Sequence, residues 1–207
     1  MTNPWLGVPL ADYEGHMSSE NVAQLGALSD LFAAALEFRK PRSVAVLGIA
    51  GGNGLDRIDC AITTRVVGLD VNPAYLATVR ERFAHLPHLE LHSLDLAVQS
   101  ANIKPADLVH AALVFEHAGT GMCLENAIAL VAPRGALSVV LQLPSETAPG
   151  VAATPYPAIQ NLKSHFALVE TVCLGETLDA RSFEIVHESR RALPAGKAFW
   201  LGIFARK

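Results

Sequence analysis

Three small residues, Ala50, Gly52 and Gly54, alternate in the turn that follows the apolar run Val44-Ala45-Val46-Leu47. Asp70 closes the next apolar run, Val66-Val67-Gly68-Leu69. Strand, glycine-rich turn, strand and acid, in that order, suit a nucleotide-type cofactor. Small residues let the backbone approach the ligand, and the carboxylate accepts hydrogen bonds from ribose hydroxyls. A helix after the turn would aim its free N–H groups at the ligand, and the stretch between Gly54 and Asp70 leaves room for a short one. Further on, Asp95 follows a third short run, Leu89 to His92, and Glu116-His117 follow a fourth. An imidazole there is suited to take a proton from a nucleophile, because its unperturbed pKa lies near neutrality. The competing role of His117 is that of a hydrogen-bonded structural histidine.

The glycine spacing narrows the cofactor. A dinucleotide fingerprint needs G-x-G-x-x-G. Counting from Gly48, the second and third glycines fall on Ala50 and Asn53; counting from Gly52, the third falls on Arg57. Small-x-Gly-x-Gly does fit, at Ala50, Gly52 and Gly54. On these residues the chain resembles the class I S-adenosylmethionine-dependent methyltransferases of small-molecule type, whose first motif is roughly acidic-x-G-x-G-x-G. Gly48 stands at the acidic position of that motif and Ala50 at its first glycine. The stretch from Asp107 to Glu116-His117 resembles the family's fourth motif, in which a strand leads into V-L-E-H.

The resemblance implies S-adenosylmethionine as cofactor and S-adenosylhomocysteine as product, with methyl transfer to an unidentified small-molecule acceptor. It assigns Gly48, Ala50, Gly52 and Gly54 to the cofactor turn, Asp70 to the ribose, and Val71 and Asn72 to positions beside the adenosine. Asp95 is assigned to the adenine ring, with Leu94 and Leu96 against its faces, and Ala112 and Leu113 to the reactive end. Tyr13 and His16 belong to an N-terminal segment of the kind that closes over the cofactor, and Glu116 and His117 face the substrate mouth as the catalytic candidates. Each residue also has a plainer role: Asp70 and Asp95 as turn residues, Asn72 as a helix cap, Tyr13 as cover for the core. Three alternatives to methyl transfer stay open. A non-catalytic cofactor-binding or scaffold protein would account for Gly48 and Ala50. An aminopropyltransferase would be expected to carry an acidic pair where Ala112 and Leu113 stand, and the glycine spacing argues against a nicotinamide dehydrogenase.

Composition sets the outer limits. The chain has 207 residues, 51% of them hydrophobic and 17% charged, which suits one globular domain, residues 1–207, with a sizeable core. A net charge of −4, with 16 Lys plus Arg, offers no basic excess for a nucleic-acid backbone. Cys60, Cys123 and Cys173 are far apart, with neither a metal pair nor a disulfide framework, as expected in a reducing cytoplasm. Met1 to Leu10 lacks the basic start and apolar core of a signal peptide, and no apolar run reaches membrane-spanning length. His85 and His88 form H-x-x-H, but Pro87 between them opposes a helical pair and no third ligand is evident, so no metal is expected. Arg190, Arg191 and Lys197 form a small basic group, either a solvated face or an anchor for an anionic substrate.

The elements that must position these residues alternate. Residues 1–17 read as an arm without periodicity, and Ser18-Ser19 as the cap of a helix with Leu25, Leu28, Phe32 and Ala35 on one face; arm and helix, residues 1–40, would cover the cofactor site of a core spanning 43–207. Strands are expected at Ser43–Leu47, Arg65–Leu69, Leu89–His92, Ala106–Val114 and Gly135–Leu143. Between them, helices are expected from Leu55-Asp56, from Asn72-Pro73 to Phe83, and from Gly121 to Val131. After a loop from Pro144 to Pro157 come a helix over Ala158–Phe166 and two late strands, Phe183–His187 and Ala198–Ala205, that suggest an antiparallel pair at one edge. This order implies an α/β, three-layer fold with a mostly parallel sheet. It resembles the Rossmann-like methyltransferase fold, with seven strands and an antiparallel C-terminal strand.

Overall fold

Apolar runs too continuous to leave one face wet form the middle of the sheet in the computed structural model of the chain, which describes residues 3–86 and 88–207. The strands are β1 (Ser43–Leu47), β2 (Arg65–Asp70), β3 (Leu89–Ser93), β4 (Ala106–Ala112), β5 (Val131–Gln142), β6 (Phe183–Ala192) and β7 (Ala198–Arg206). They form one seven-stranded sheet in the order β3-β2-β1-β4-β5-β7-β6. All neighbours pair in parallel except β7, which runs opposite to both β5 and β6. The expected mostly parallel sheet with a reversed last strand is what forms.

Helices cover both faces: α1 (Leu10–Ser18), α2 (Gln24–Arg39), α3 (Pro73–Arg82), α4 (Phe115–Ala118), α5 (Met122–Leu130), α6 (Pro157–Gln160) and α7 (Thr171–Asp179). The two-residue period of β1 divides the core. Val44 and Val46 pack with Leu28, Phe32 and Ala35 of α2 and with Leu76 and Val79 of α3. Ala45 and Leu47 pack on the opposite face with Cys123, Ala127 and Leu130 of α5 and with Leu174 and Leu178 of α7. The chain winds outward from β1 to β3 and then returns to β4, so β1 and β4 flank the topological switch point. Ligands of open α/β sheets bind in the crevice that opens at the carboxyl ends of such strands.

Several elements differ from the sequence reading. The arm, expected without regular periodicity, is helical: residues Pro4–Gly7 make a 3-10 turn and α1 follows. Ser18 and Ser19 close α1 rather than open α2, because the Ser19 hydroxyl donates back to the His16 carbonyl at 2.8 Å. Past the glycine turn the expected helix shrinks to a 3-10 turn, Leu55–Arg57. The covering position is already filled by α2, whose Phe32 and Ser29 lie against Gly54. Asp59 then folds the following stretch into a turn, its carboxylate accepting the Ala61 N–H at 2.8 Å. β4 stops at Ala112 because Leu113 is left-handed, with φ 56°. The helix α7 was not expected; its buried face consists of Leu174 and Leu178 alone, too short a stripe to announce itself. Pro87 lies outside the described residues.

The turn after β1 is strongly left-handed, with φ of 62° at Gly48, 47° at Ala50 and 83° at Gly52. Gly48 and Gly52 suit this conformation and Ala50 does not. Ala50→Gly is therefore expected to stabilise the fold by about 1 kcal/mol, raising the thermal midpoint by about 2–4 °C. Calorimetric unfolding of the variant beside the parent checks this, and an unchanged or lowered midpoint would refute strain at Ala50.

Candidate functional site

Asp70, the last residue of β2, reaches across to the turn after β1. Its Oδ2 accepts the Ala50 N–H at 2.9 Å, and its Oδ1 accepts the Asn72 N–H at 2.8 Å. A carboxylate has about four acceptor positions, so capacity remains for a ligand beside these backbone donors. Burial pushes the Asp70 pKa up, while hydrogen bonds from the Asn72, Ala50 and Val71 N–H groups pull it back. Asp70 lines a cleft at the carboxyl edge of the sheet, together with Gly48, Ala50 and Val71. Gly48 has no room for a side chain: a Cβ there would meet Val114 Cγ2 at 2.9 Å.

Past β3, Asp95 sits at the same cleft. Its Oδ1 accepts the Ala97 N–H at 3.0 Å and its Oδ2 accepts from Asn3 Nδ2 at 2.9 Å. Leu94 and Leu96 line the cleft on either side of it. The arm closes over this end. Asn72 donates from Nδ2 to the Trp5 carbonyl at 3.0 Å, and Tyr75 Oη donates to the Val8 carbonyl at 2.8 Å. Glu14 and Arg82 add an ion pair across the gap. The Tyr13 ring meets Trp5 edge-on at 5.8 Å. Burial, then Asp70 and Glu14, hold the Tyr13 phenol above its ordinary pKa, so it stays neutral.

On the β4 side, Ala112 and left-handed Leu113 form an apolar wall, with the Leu113 N–H donating to the Val140 carbonyl at 3.0 Å. His117 lines the cleft between the rings of Trp5, at 4.9 Å, and Phe166, at 5.4 Å. Its Nδ1 has no hydrogen-bond partner among the described residues. Burial, with His165 nearby, lowers the His117 pKa to about 4, so the imidazole is neutral at physiological pH and offers a lone pair. Beyond His117 the cleft continues past Gln142 and Gly150 to His16 and Lys197.

Neither a protein-family model nor a curated protein sequence matches the chain. Solved structures do. An N-methyltransferase, NodS, from Bradyrhizobium japonicum WM9, determined with S-adenosyl-L-homocysteine, superposes with a TM-score of 0.72 at 18% identity, covering 99% of each chain. Magnesium protoporphyrin IX methyltransferase (ChlM) from Synechocystis PCC 6803 with the same bound product gives 0.65 at 13% identity, over 91% of this chain and 85% of that one. The 1,6-didemethyltoxoflavin-N1-methyltransferase of Burkholderia thailandensis gives 0.65 at 17% identity, over 95% and 84%. The chain has the class I methyltransferase fold.

Within this methyltransferase fold the expected site residues separate into two groups. Gly48, Ala50, Asp70, Val71, Asp95, Leu96, Leu113, Tyr13 and His117 all line one cleft. Gly52, Gly54 and Asn72 stand behind it. Gly52 packs under Phe83, Gly54 against Phe32, and Asn72 caps α3 by accepting the Ala74 N–H at 3.0 Å. Glu116 corrects the expectation that it faces the substrate mouth. It is not among the lining residues and is only 2% exposed. Its Oε1 accepts the Gln142 N–H at 2.8 Å, which ties α4 to the end of β5. The basic group also divides: Arg191 pairs with Asp30 on the surface, whereas Lys197 is buried at the cleft. Asn3, Trp5, Gln24, Gln142 and Phe166 also line the cleft; single polar or aromatic residues in the arm, in a loop or at the end of a helix or strand carry no spacing signal in the sequence. His110 is a core residue, bonded through Nδ1 to Ser138 Oγ at 3.0 Å. Among the described residues, no three His, Cys, Asp or Glu side chains are grouped to hold a metal ion, and no helix is long and apolar enough to cross a membrane.

Burial raises the Glu116 pKa to about 7, against the hydrogen bond from Gln142 that lowers it. Between the unfolded carboxyl value and about 7 the folded state holds the extra proton, so raising the pH through that window costs stability. Glu116→Gln, a neutral mimic, is expected to match the parent at pH 4 and to exceed it at pH 8 by about 3 kcal/mol. Urea unfolding of both proteins at the two pH values measures this. Equal stability at pH 8 would show that the buried carboxyl carries no such penalty.

Proposed function

We propose that this chain binds S-adenosylmethionine and transfers its methyl group to a small-molecule acceptor. The observation that carries the reading is Asp70: a buried carboxylate with acceptor positions to spare, held by the Ala50 and Asn72 N–H groups at the switch point of a methyltransferase sheet. The residues around it fit the cofactor. Asp70 is placed to accept from the two ribose hydroxyls, and Leu94 and Leu96 give apolar faces for an adenine ring. Asp95, already engaged with Asn3 and Ala97, keeps acceptor capacity for an exocyclic amine. Gly48 leaves the methionine end without the acid that the family motif carries.

When bound, the cofactor supplies an already activated methyl group for in-line displacement, so the protein's task is alignment and exclusion of water. Trp5, Tyr13 and Phe166 wall off the cleft, and the apolar Ala112–Leu113 segment leaves the reacting centre without a competing carboxylate. His117, neutral and with a free Nδ1, is placed to accept the proton that the acceptor nucleophile gives up. Its low basicity suits an acceptor that loses its proton only as the new bond forms. The absence of a full helix behind the glycine turn weighs against a dinucleotide, whose pyrophosphate needs that helix N-terminus. A second reading, a binding protein without turnover, draws on Gly48 and the strained Ala50.

Thermal unfolding with S-adenosylmethionine, S-adenosylhomocysteine or NAD tests the cofactor. Saturating adenosyl ligands should raise the midpoint by several degrees, and NAD should not. Asp70→Asn, which keeps an oxygen for one backbone N–H, is expected to weaken S-adenosylhomocysteine at least tenfold by calorimetric titration. No response to either adenosyl ligand would sink the proposal. Binding without product formation on any acceptor would favour the second reading.

A further inference from the structure

Lys197 is an unusual cation. It immediately precedes β7, is only 5% exposed, and lines the end of the cleft farthest from Asp95 and Leu94. Among the described residues the one hydrogen-bond partner of its ammonium is the Gly150 carbonyl, 2.7 Å from Nζ. That carbonyl does not depend on the lysine, since Gln142 Nε2 donates to it as well, at 3.0 Å. No acidic side chain faces Lys197 among the described residues, and burial alone pushes its pKa below the usual lysine value. A buried ammonium with spare N–H donors and no counter-ion is costly to keep charged, and a bound anion would remove that cost. His16 lies in the same part of the cleft, 6% exposed, with its Nδ1 also lacking a partner. Between these polar groups the walls are apolar, formed by Val151, Ile159, Leu162 and Phe166.

We infer that Lys197, assisted by His16, anchors a carboxylate of the methyl acceptor, which is therefore an amphipathic small acid with an apolar body. This deepens the methyltransferase reading and rests on it for the word acceptor. Two arguments set the acid on the acceptor rather than on the methionine end of the cofactor. Four strand spacings, about 19 Å, separate β2, which carries Asp70, from β7. The Gly48 turn, to which the methionine end is assigned, follows β1, three such spacings or about 14 Å from β7, whereas an extended lysine side chain and one hydrogen bond together reach about 9 Å. His117 lies in the intervening part of the cleft, where the transferred methyl group and the acceptor nucleophile would meet. Ile159 of α6, Leu162 of the 3-10 turn after it and Phe166 at the end of that turn add apolar walls to the cleft, where Ile159 and Leu162 pack with Val8, Trp5 and Tyr13 of the arm.

Sodium benzoate and benzamide, which share a ring and differ in charge, are the probes, titrated by ligand-observed NMR with and without S-adenosylhomocysteine. Benzoate should bind saturably in both states and benzamide at least tenfold more weakly. Lys197→Met, which leaves the Gly150 carbonyl its Gln142 donor, should lose benzoate at least tenfold while holding S-adenosylhomocysteine within twofold; Lys197→Gln repeats the test should the first variant fold poorly. Equal binding of the two probes, or benzoate binding that survives both substitutions, would overturn the inference. So would competition between benzoate and S-adenosylhomocysteine with a tenfold loss of the latter in Lys197→Met, which would give the lysine to the cofactor's own carboxylate. Benzoate binding lost in the variants, in a protein that never binds S-adenosylhomocysteine, would uphold the anion site and refute only the methyl-transfer reading.

Discussion

The carboxylate of Asp70 ties the turn after β1 to the start of α3, on top of the ladder that joins β1 and β2. One oxygen takes the N–H of Ala50, in the left-handed turn after β1, and the other takes the N–H of Asn72, at the start of α3. Asn72 in turn caps α3 and donates to the Trp5 carbonyl, so the arm is fastened to the same point. Buried N–H groups left without acceptors would be expensive, and a carboxylate is the strongest acceptor the chain offers. The same group that organises the turn therefore presents its remaining lone pairs to the cleft.

That economy explains why the cleft needs few polar residues. Its β4 wall is apolar, two leucines flank Asp95 at the end past β3, and aromatic rings from the arm and the late loop cover it. Among the described residues that line the cleft, the buried side-chain atoms without a partner are on His16 and His117, and the Lys197 ammonium has the Gly150 carbonyl alone. In a dry cleft such groups define where charge and protons are handled, because each interacts more strongly there than it would in water.

Much of this was legible in the sequence. Strands buried on both faces write continuous apolar runs, so β1, β2, β4 and β5 announced themselves, and Asn72-Pro73 marked the start of α3. Asp70 was singled out by its place after such a strand, one crossover past a glycine turn, with the plainer role of a turn residue beside it. The misreadings have local physical causes. Ser18 and Ser19 look the same whether they open one helix or close another, and only the back-bond to His16 decides. A helix was expected after Gly54 because the length allowed it, but α2 had taken its place against the sheet. Glu116 sits beside His117 in sequence yet points elsewhere, since successive residues of a helix face in directions about 100° apart. Lys197 was grouped with Arg190 and Arg191 by proximity, and the turn before β7 separates them.

The reversed direction of β7 has a consequence of its own. Every parallel strand brings its carboxyl end to the ligand edge, so on those strands only the following loops can evolve new contacts. β7 runs the other way and brings its amino end there, which is how a residue preceding the strand comes to line the cleft. Its carboxyl end is sent to the opposite edge, where the Lys207 N–H meets the Ser182 carbonyl. Attachment to a surface through that far edge would leave the mouth open to solvent. Attachment through the segment around Asn3, which is bonded to Asp95 inside the cleft, would not.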